Sequence, residues 1–167
     1  MLQRYCMITI EVNDRSVLDT LNRMVQGLSD ATPVMADLAQ VLASESERQF
    51  ASQSGPLGPW PGLSDVTKQM RGLRGTWPGR MLQVSSAGLA ASVQTAHGPD
   101  WASISTNKPY AAMHQFGGTT SARSMIPGKA IPARPYLPFN PRTSEITPEA
   151  QATVLDVVNS WLSELAA

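Results

Sequence analysis

The stretch from Ser52 to Asp65 reads Ser-Gln-Ser-Gly-Pro-Leu-Gly-Pro-Trp-Pro-Gly-Leu-Ser-Asp, with three prolines and three glycines in it. Proline has no backbone N–H and glycine loses the most conformational freedom on folding, so no regular element is expected to run through this stretch. The chain must therefore organise as separate pieces on either side of a proline-stiffened loop. Trp60 and Leu63 sit inside it. An apolar anchor in such a loop either pins it to the core or presents a large contact to a partner subunit.

Before the loop the periodicity is first that of a strand and then that of helices. From Met7, Ile8, Ile10 and Val12 alternate with Thr9 and Glu11, the period of a half-buried strand. Residues 1–6 match no pattern and are expected to be a flexible arm or an alternative-start extension, with residues 7–167 forming a single domain. After Asp14, an N-cap candidate, Val17, Leu18, Leu21, Met24, Val25 and Leu28 fall at helical spacing. Thr32-Pro33, a cap followed by proline at the first helical position, announces a second helix. Its apolar face carries Met35, Leu38, Ala39, Leu42 and Phe50, and Glu45, Glu47 and Arg48 mark a wetter end.

Beyond the loop, Val66 to Leu73 reads as a short helix. Lys68, Arg71, Arg74 and Arg80 form the densest basic patch in the chain, either a solvated flank or a segment facing phosphates in a DNA channel. Leu82 to Val84, Leu89 to Thr95 and Trp101 to Thr106 are β-prone runs separated by glycine and proline turns, an antiparallel set. Thr147-Pro148-Glu149 then opens a last helix with cap, proline and a first-turn acid, and Val154, Leu155, Val158, Trp161, Leu162 and Leu165 continue it at helical spacing. The predicted fold is α+β: an N-terminal strand, two helices, a small antiparallel sheet of three or four strands, and a C-terminal helix packed on that sheet.

Charge narrows the function. Thirteen basic and thirteen acidic residues leave a formal net charge of +0, so the isolated chain has no global field for a polyanion. Charged residues make up 16% of the chain against about 25% typically, and depletion of charge marks the cores of interfaces. The single cysteine, Cys6, excludes an internal disulfide and a cysteine-based metal cluster. The longest apolar run is far short of a bilayer span, and the start lacks a signal-peptide core, so a soluble, non-membrane protein is expected.

The most informative segment is Asn107 to Pro138. Tyr110-Ala111-Ala112-Met113-His114-Gln115-Phe116-Gly117-Gly118 is followed, after a short loop, by Ile131-Pro132-Ala133-Arg134-Pro135-Tyr136-Leu137. The paired glycines permit a sharp turn, and Pro132 and Pro135 stiffen an extended segment around Arg134, whose five donors form a rigid fork. That fork suits a carboxylate or carbonyl groups across an interface, or else an intramolecular salt bridge. The pair of blocks resembles the virion-morphogenesis (tail-completion) family of Mu-like tailed phages. Gly55 to Leu63 with Thr67, and Gly88-Leu89 with Ser92-Val93, look like further family features.

That resemblance implies a structural protein completing the tail or neck at the head-to-tail junction, a homo-oligomeric ring, as a hexamer, around the DNA channel. The implied partners are further copies of itself, the neighbouring connector, tail terminator and tail tube proteins, and packaged DNA through non-specific contact. The implied location is the virion neck, after assembly in the host cytoplasm. A tail-terminator or head-closure protein is the neighbouring alternative. Interface candidates are Trp60, Tyr110, His114, Gln115, Phe116, Arg134 and Tyr136.

Catalysis finds little support in the residues. His97 lies by a turn and is expected to be exposed. His114, the one serious general-base candidate, reads better as a buried, hydrogen-bonded structural histidine, although a phage accessory enzyme using it is a further alternative. No nucleotide-binding or common hydrolase motif is present, and no cofactor or metal is expected.

Overall fold

The computed structural model describes residues 15–124 and 126–167. The expected strand from Met7, the extension at 1–6 and the Asp14 cap lie outside the described residues. The first described element is α1 (Arg15–Ser29), followed by α2 (Thr32–Ser52). Thr32 does not cap α2, because it is already helical; the Asp30 side chain accepts from the Thr32 N–H at 3.0 Å, and Pro33 occupies the first turn. Phe50 lies near the other end of this 21-residue rod.

The proline-rich loop contains a minimal hairpin, β1 (Ser54–Gly55) with β2 (Gly58–Pro59), and leads into α3 (Asp65–Leu73). Ser64 caps α3 by accepting from Thr67 N at 3.3 Å. A 3-10 turn at Ala90–Ser92 precedes β3 (Val93–His97), which pairs antiparallel with β4 (Ala102–Thr106) in the register Val93 to Thr106 through His97 to Ala102. Then come α4 (Ala111–Phe116), β5 (Gly118–Thr119) paired with β6 (Ala130–Ile131), and α5 (Pro148–Ala166). Thr147 caps α5, accepting from Ala150 N at 3.3 Å, as its sequence signature predicts.

The fold is α+β, but three features of the expected architecture are corrected. The described strands form three separate two-stranded antiparallel sheets and not one sheet of three or four. Leu82 to Val84 is no strand, because Leu82 takes a left-handed backbone (φ 59°) that breaks extension. Nor is the sheet the bed of the C-terminal helix: α5 packs on α2 and α1, while the β3–β4 hairpin packs on α2. One long helix thus separates two layers and touches both.

The predicted wet end of α2 is wet on one side only: Glu47 and Arg48 are exposed, and the other side is buried. Glu45, Ser46, Gln49 and Phe50 are all buried, because the extended segment around Tyr136 crosses α2 there. Ser46 Oγ donates to the Tyr136 carbonyl at 2.7 Å. Gln49, with its amide nitrogen turned toward them, donates to the carbonyls of Tyr136 and Leu137 at 3.2 Å and of Pro135 at 3.3 Å. Phe50, Trp60, Leu89, Ala111 and Tyr136 form the core beneath this crossing. Phe50 meets Trp60 edge to face at 5.7 Å and Tyr136 at 5.3 Å between ring centroids, pairs that each add about 0.5–1.5 kcal/mol beyond area burial.

Candidate functional site

The two sequence blocks close on each other. Helix α4 ends at Gly117 (φ 73°), and a Cβ there would come within 2.9 Å of Ala133 N, so only glycine lets the two segments approach this closely. The His114 carbonyl accepts from Arg134 N at 2.7 Å. Gln115, 1% exposed, accepts with its side-chain oxygen from Tyr136 N at 3.0 Å and Leu137 N at 3.1 Å. An extended, proline-bounded segment cannot satisfy its donors in a ladder; a buried glutamine does so in its place.

The proline-rich loop is fastened to the same segment. Trp60 Nε1 donates to the Pro135 carbonyl at 2.8 Å. Arg134 reaches back, its Nε donating to Pro61 O at 2.8 Å and its Nη2 to Gly62 O at 2.9 Å. At Gly55 any side chain would collide with the Pro135 carbonyl. Loop, motif and the end of α2 therefore form one hydrogen-bonded junction, held through sequence separations of 72 to 90 residues.

The sequence profile of the phage virion morphogenesis family matches residues 12–163. This chain belongs to that family. It is 29% identical over 160 residues to Mu-like prophage FluMu G protein 2 of Haemophilus influenzae, covering 95% of this chain and 99% of that protein. It is 35% identical over 133 residues to the "Putative capsid assembly protein G" of Escherichia phage Mu, covering 74% and 83% respectively. No solved structure matches.

In this virion-morphogenesis protein the candidate residues separate into two sets. Trp60, Gln115, Arg134 and Tyr136 are buried and engaged within the subunit. The Arg134 fork takes carbonyl groups of its own chain, not a carboxylate. Burial holds its pKa below the usual guanidinium value, and burial likewise pushes the Tyr136 hydroxyl up to about 12. Tyr110 and Phe116 are 44% and 56% exposed, Tyr110 standing edge-on to the His114 ring.

His114 is part-buried, and its Nδ1 has no hydrogen-bond partner, unlike the bonded histidine expected. Burial first, and the Arg134 charge second, lower its pKa, favouring the neutral ring. It opens on a groove of about 300 Å³ whose walls include Leu63, Leu82, Val84, Leu89 and Arg71. His97 is exposed at the end of β3.

The basic patch does not act as one surface. Arg71 is 8% exposed, donates to the carbonyls of Thr76 at 2.8 Å and Arg80 at 3.2 Å, and lies 5.5 Å over the Trp77 ring. Lys68 pairs with Asp65 at 3.0 Å, whereas Arg74 and Arg80 are exposed. Among the described residues, no group of three or more His, Cys, Asp or Glu could hold a metal, and no helix is long and apolar enough to cross a membrane.

Two contributors escaped the sequence reading: Ser46 and Gln49, which stand among the residues read as the wet end of α2. Ser46, Gln49 and Phe50 do share one helical face at i, i+3, i+4 spacing, which is the signal that could have found both.

Proposed function

We propose that this protein is a non-catalytic structural subunit that completes the tail or neck at the head-to-tail junction during virion assembly, as one member of a homo-oligomeric ring around the DNA channel. One observation carries the reading. Among the described residues eight apolar residues are fully buried, three of them alanine, while sixteen large apolar residues are exposed. Fully burying a large apolar side chain contributes about 1.5–3 kcal/mol, so a chain that leaves so many of them in water is built to be completed by neighbours.

Membership of a virion-morphogenesis family supports the same reading. A sixfold ring is the symmetry we assign, with connector, tail terminator and tail tube proteins as its neighbours. Arg74 and Arg80 are the exposed members of the basic patch, available for non-specific contact with packaged DNA. No carboxylate lines the groove beside His114, so a general base there would lack its orienting partner.

Electron microscopy of particles and lysates tests this. Loss of the protein is expected to leave finished heads and finished tails unjoined, and its density is expected as a ring at the neck. A second reading comes from the printed name of the phage Mu relative, capsid assembly; lysates lacking heads would favour it and sink the neck assignment. Particles carrying His114→Ala are expected to remain infectious, and a loss of infectivity with normal particle morphology would revive the enzymatic alternative.

A further inference from the structure

Helix α2 carries an apolar surface at each end, and the two surfaces differ in kind. At its N-terminal end, the partly buried positions of α1 are Thr20, Met24 and Gly27, one face at i, i+4, i+7 spacing, with Gly27 against Leu165 of α5. The apolar stripe lies about a third of a turn away. Its members Leu18, Leu21, Val25 and Leu28 are 56%, 51%, 63% and 57% exposed. Arg15, Asn22 and Ser29 flank the stripe, and Asp19 and Arg23 lie on the far side of the helix.

At the other end α3 is inverted. It buries Arg71 and turns Val66, Met70 and Leu73, 68%, 45% and 80% exposed, toward solvent at i, i+4, i+7 spacing. The groove beside His114 adjoins it. Thr32 and Phe50 bracket the rod between the two surfaces, about 27 Å at 1.5 Å per residue.

The area matches what an assembly needs. The accessible surface is 11757 Å². Granting residues 1–14 the full surface of an unfolded chain, about 2,500 Å², still leaves roughly 1,800 Å² more than a compact monomer of the remaining mass exposes. Split over two faces this is about 900 Å² each, close to the ~800 Å² per partner of a standard interface.

We infer that the α1 stripe of one copy seats on the α3 face and adjoining groove of the next copy, a head-to-tail contact between unlike patches. This rests on the ring reading above and specifies its contact. Unlike patches at opposite ends of a subunit generate a closed ring when the rotation closes. An uncharged stripe on a chain of net charge +0 fits a second copy better than a polyanion or an acidic membrane surface, both of which call for a basic face.

The test is site-directed cross-linking in assembled particles, using the full chain with Cys6→Ser, Val25→Cys and Leu73→Cys. Both positions are exposed, and circular dichroism of the purified variant checks that it folds as the parent does. Oxidation is expected to give a ladder of disulfide-linked multimers only when both cysteines are present. Dimers from Val25→Cys alone would show α1 meeting α1 and overturn the inference. Protein present in the neck ring without a ladder would overturn the contact while leaving the ring intact; a stripe covered by residues 1–14 of its own chain gives this result. Absence of the protein from the neck would overturn the ring reading itself.

Discussion

The side-chain oxygen of Gln115 accepts the backbone N–H of Tyr136 at 3.0 Å and so joins two sequence blocks 21 residues apart. The same oxygen accepts from Leu137 N, and the crossing segment it holds lies directly over Phe50 and Trp60. Gln115→Ala leaves both donors without this partner, at about 1–3 kcal/mol for each donor that stays buried. A fall of about 2–4 kcal/mol in unfolding free energy is expected in a urea titration, and an unchanged midpoint would remove the clamp assigned to Gln115.

Arg134 is a structural fork in this subunit, so its loss should be felt in folding and not first in particle entry. Arg134→Ala is expected to lower stability by about 2–4 kcal/mol, since hydrogen bonds from charged donors contribute about 1.5–3 kcal/mol. Arg134→Lys should recover less than half, because an ammonium on a flexible stem cannot match two carbonyls with a planar fork. Chemical denaturation of the three proteins provides the comparison. An alanine variant as stable as the parent that fails to enter particles would move Arg134 back to an interface.

Gly55 and Gly62 flank the same loop and should differ sharply. A Cβ at Gly55 meets the backbone oxygen of Pro135, whereas one at Gly62 meets nothing within 4 Å. Gly55→Ala is expected to cost about 1–3 kcal/mol through forced backbone movement, and Gly62→Ala to stay within about 0.5 kcal/mol. Thermal unfolding of the pair reads this out, with equal melting temperatures as the contrary result.

His114 makes stability depend on pH in a defined direction. Its pKa is lowered in the fold by burial and then by Arg134, so the unfolded chain binds a proton that the folded chain refuses. The contribution is therefore complete above about pH 6.5, the ordinary histidine value, and is lost as pH falls below it toward the depressed folded value. Denaturation midpoints measured from pH 8 to pH 5 should decline for the parent and decline less for His114→Gln. Parallel curves would show that His114 is not the group responsible.

Much of the helical framework was legible before any coordinates. The spacing of Val17 to Leu28, the Thr32-Pro33 start and the Thr147-Pro148-Glu149 cap each name a helix that is present, because periodicity and capping are local properties. The paired Tyr110 to Gly118 and Ile131 to Leu137 blocks likewise pointed to one functional unit and to the right family. Leu82 to Val84 misled for the complementary reason: β-prone side chains do not determine backbone φ, and here a left-handed Leu82 ends the run.

Local pattern could say which residues are apolar but not which of them meet other residues of the same chain. Trp60 could anchor its loop in the core or meet a partner, and Tyr136 stood as an interface candidate; the burial of both became clear only where the Pro135 crossing meets α2. Ser46 and Gln49 went unremarked because their partners are carbonyls 86 to 90 positions away in the chain. Conversely, the helical spacing of α1 and the short helix expected for α3 did not say which way their apolar residues turn, and the folded subunit turns both stripes outward. A hydrophobic period requires that a face be covered; what covers it depends on long-range approach of segments, and for these two helices the chain's own fold leaves the face open.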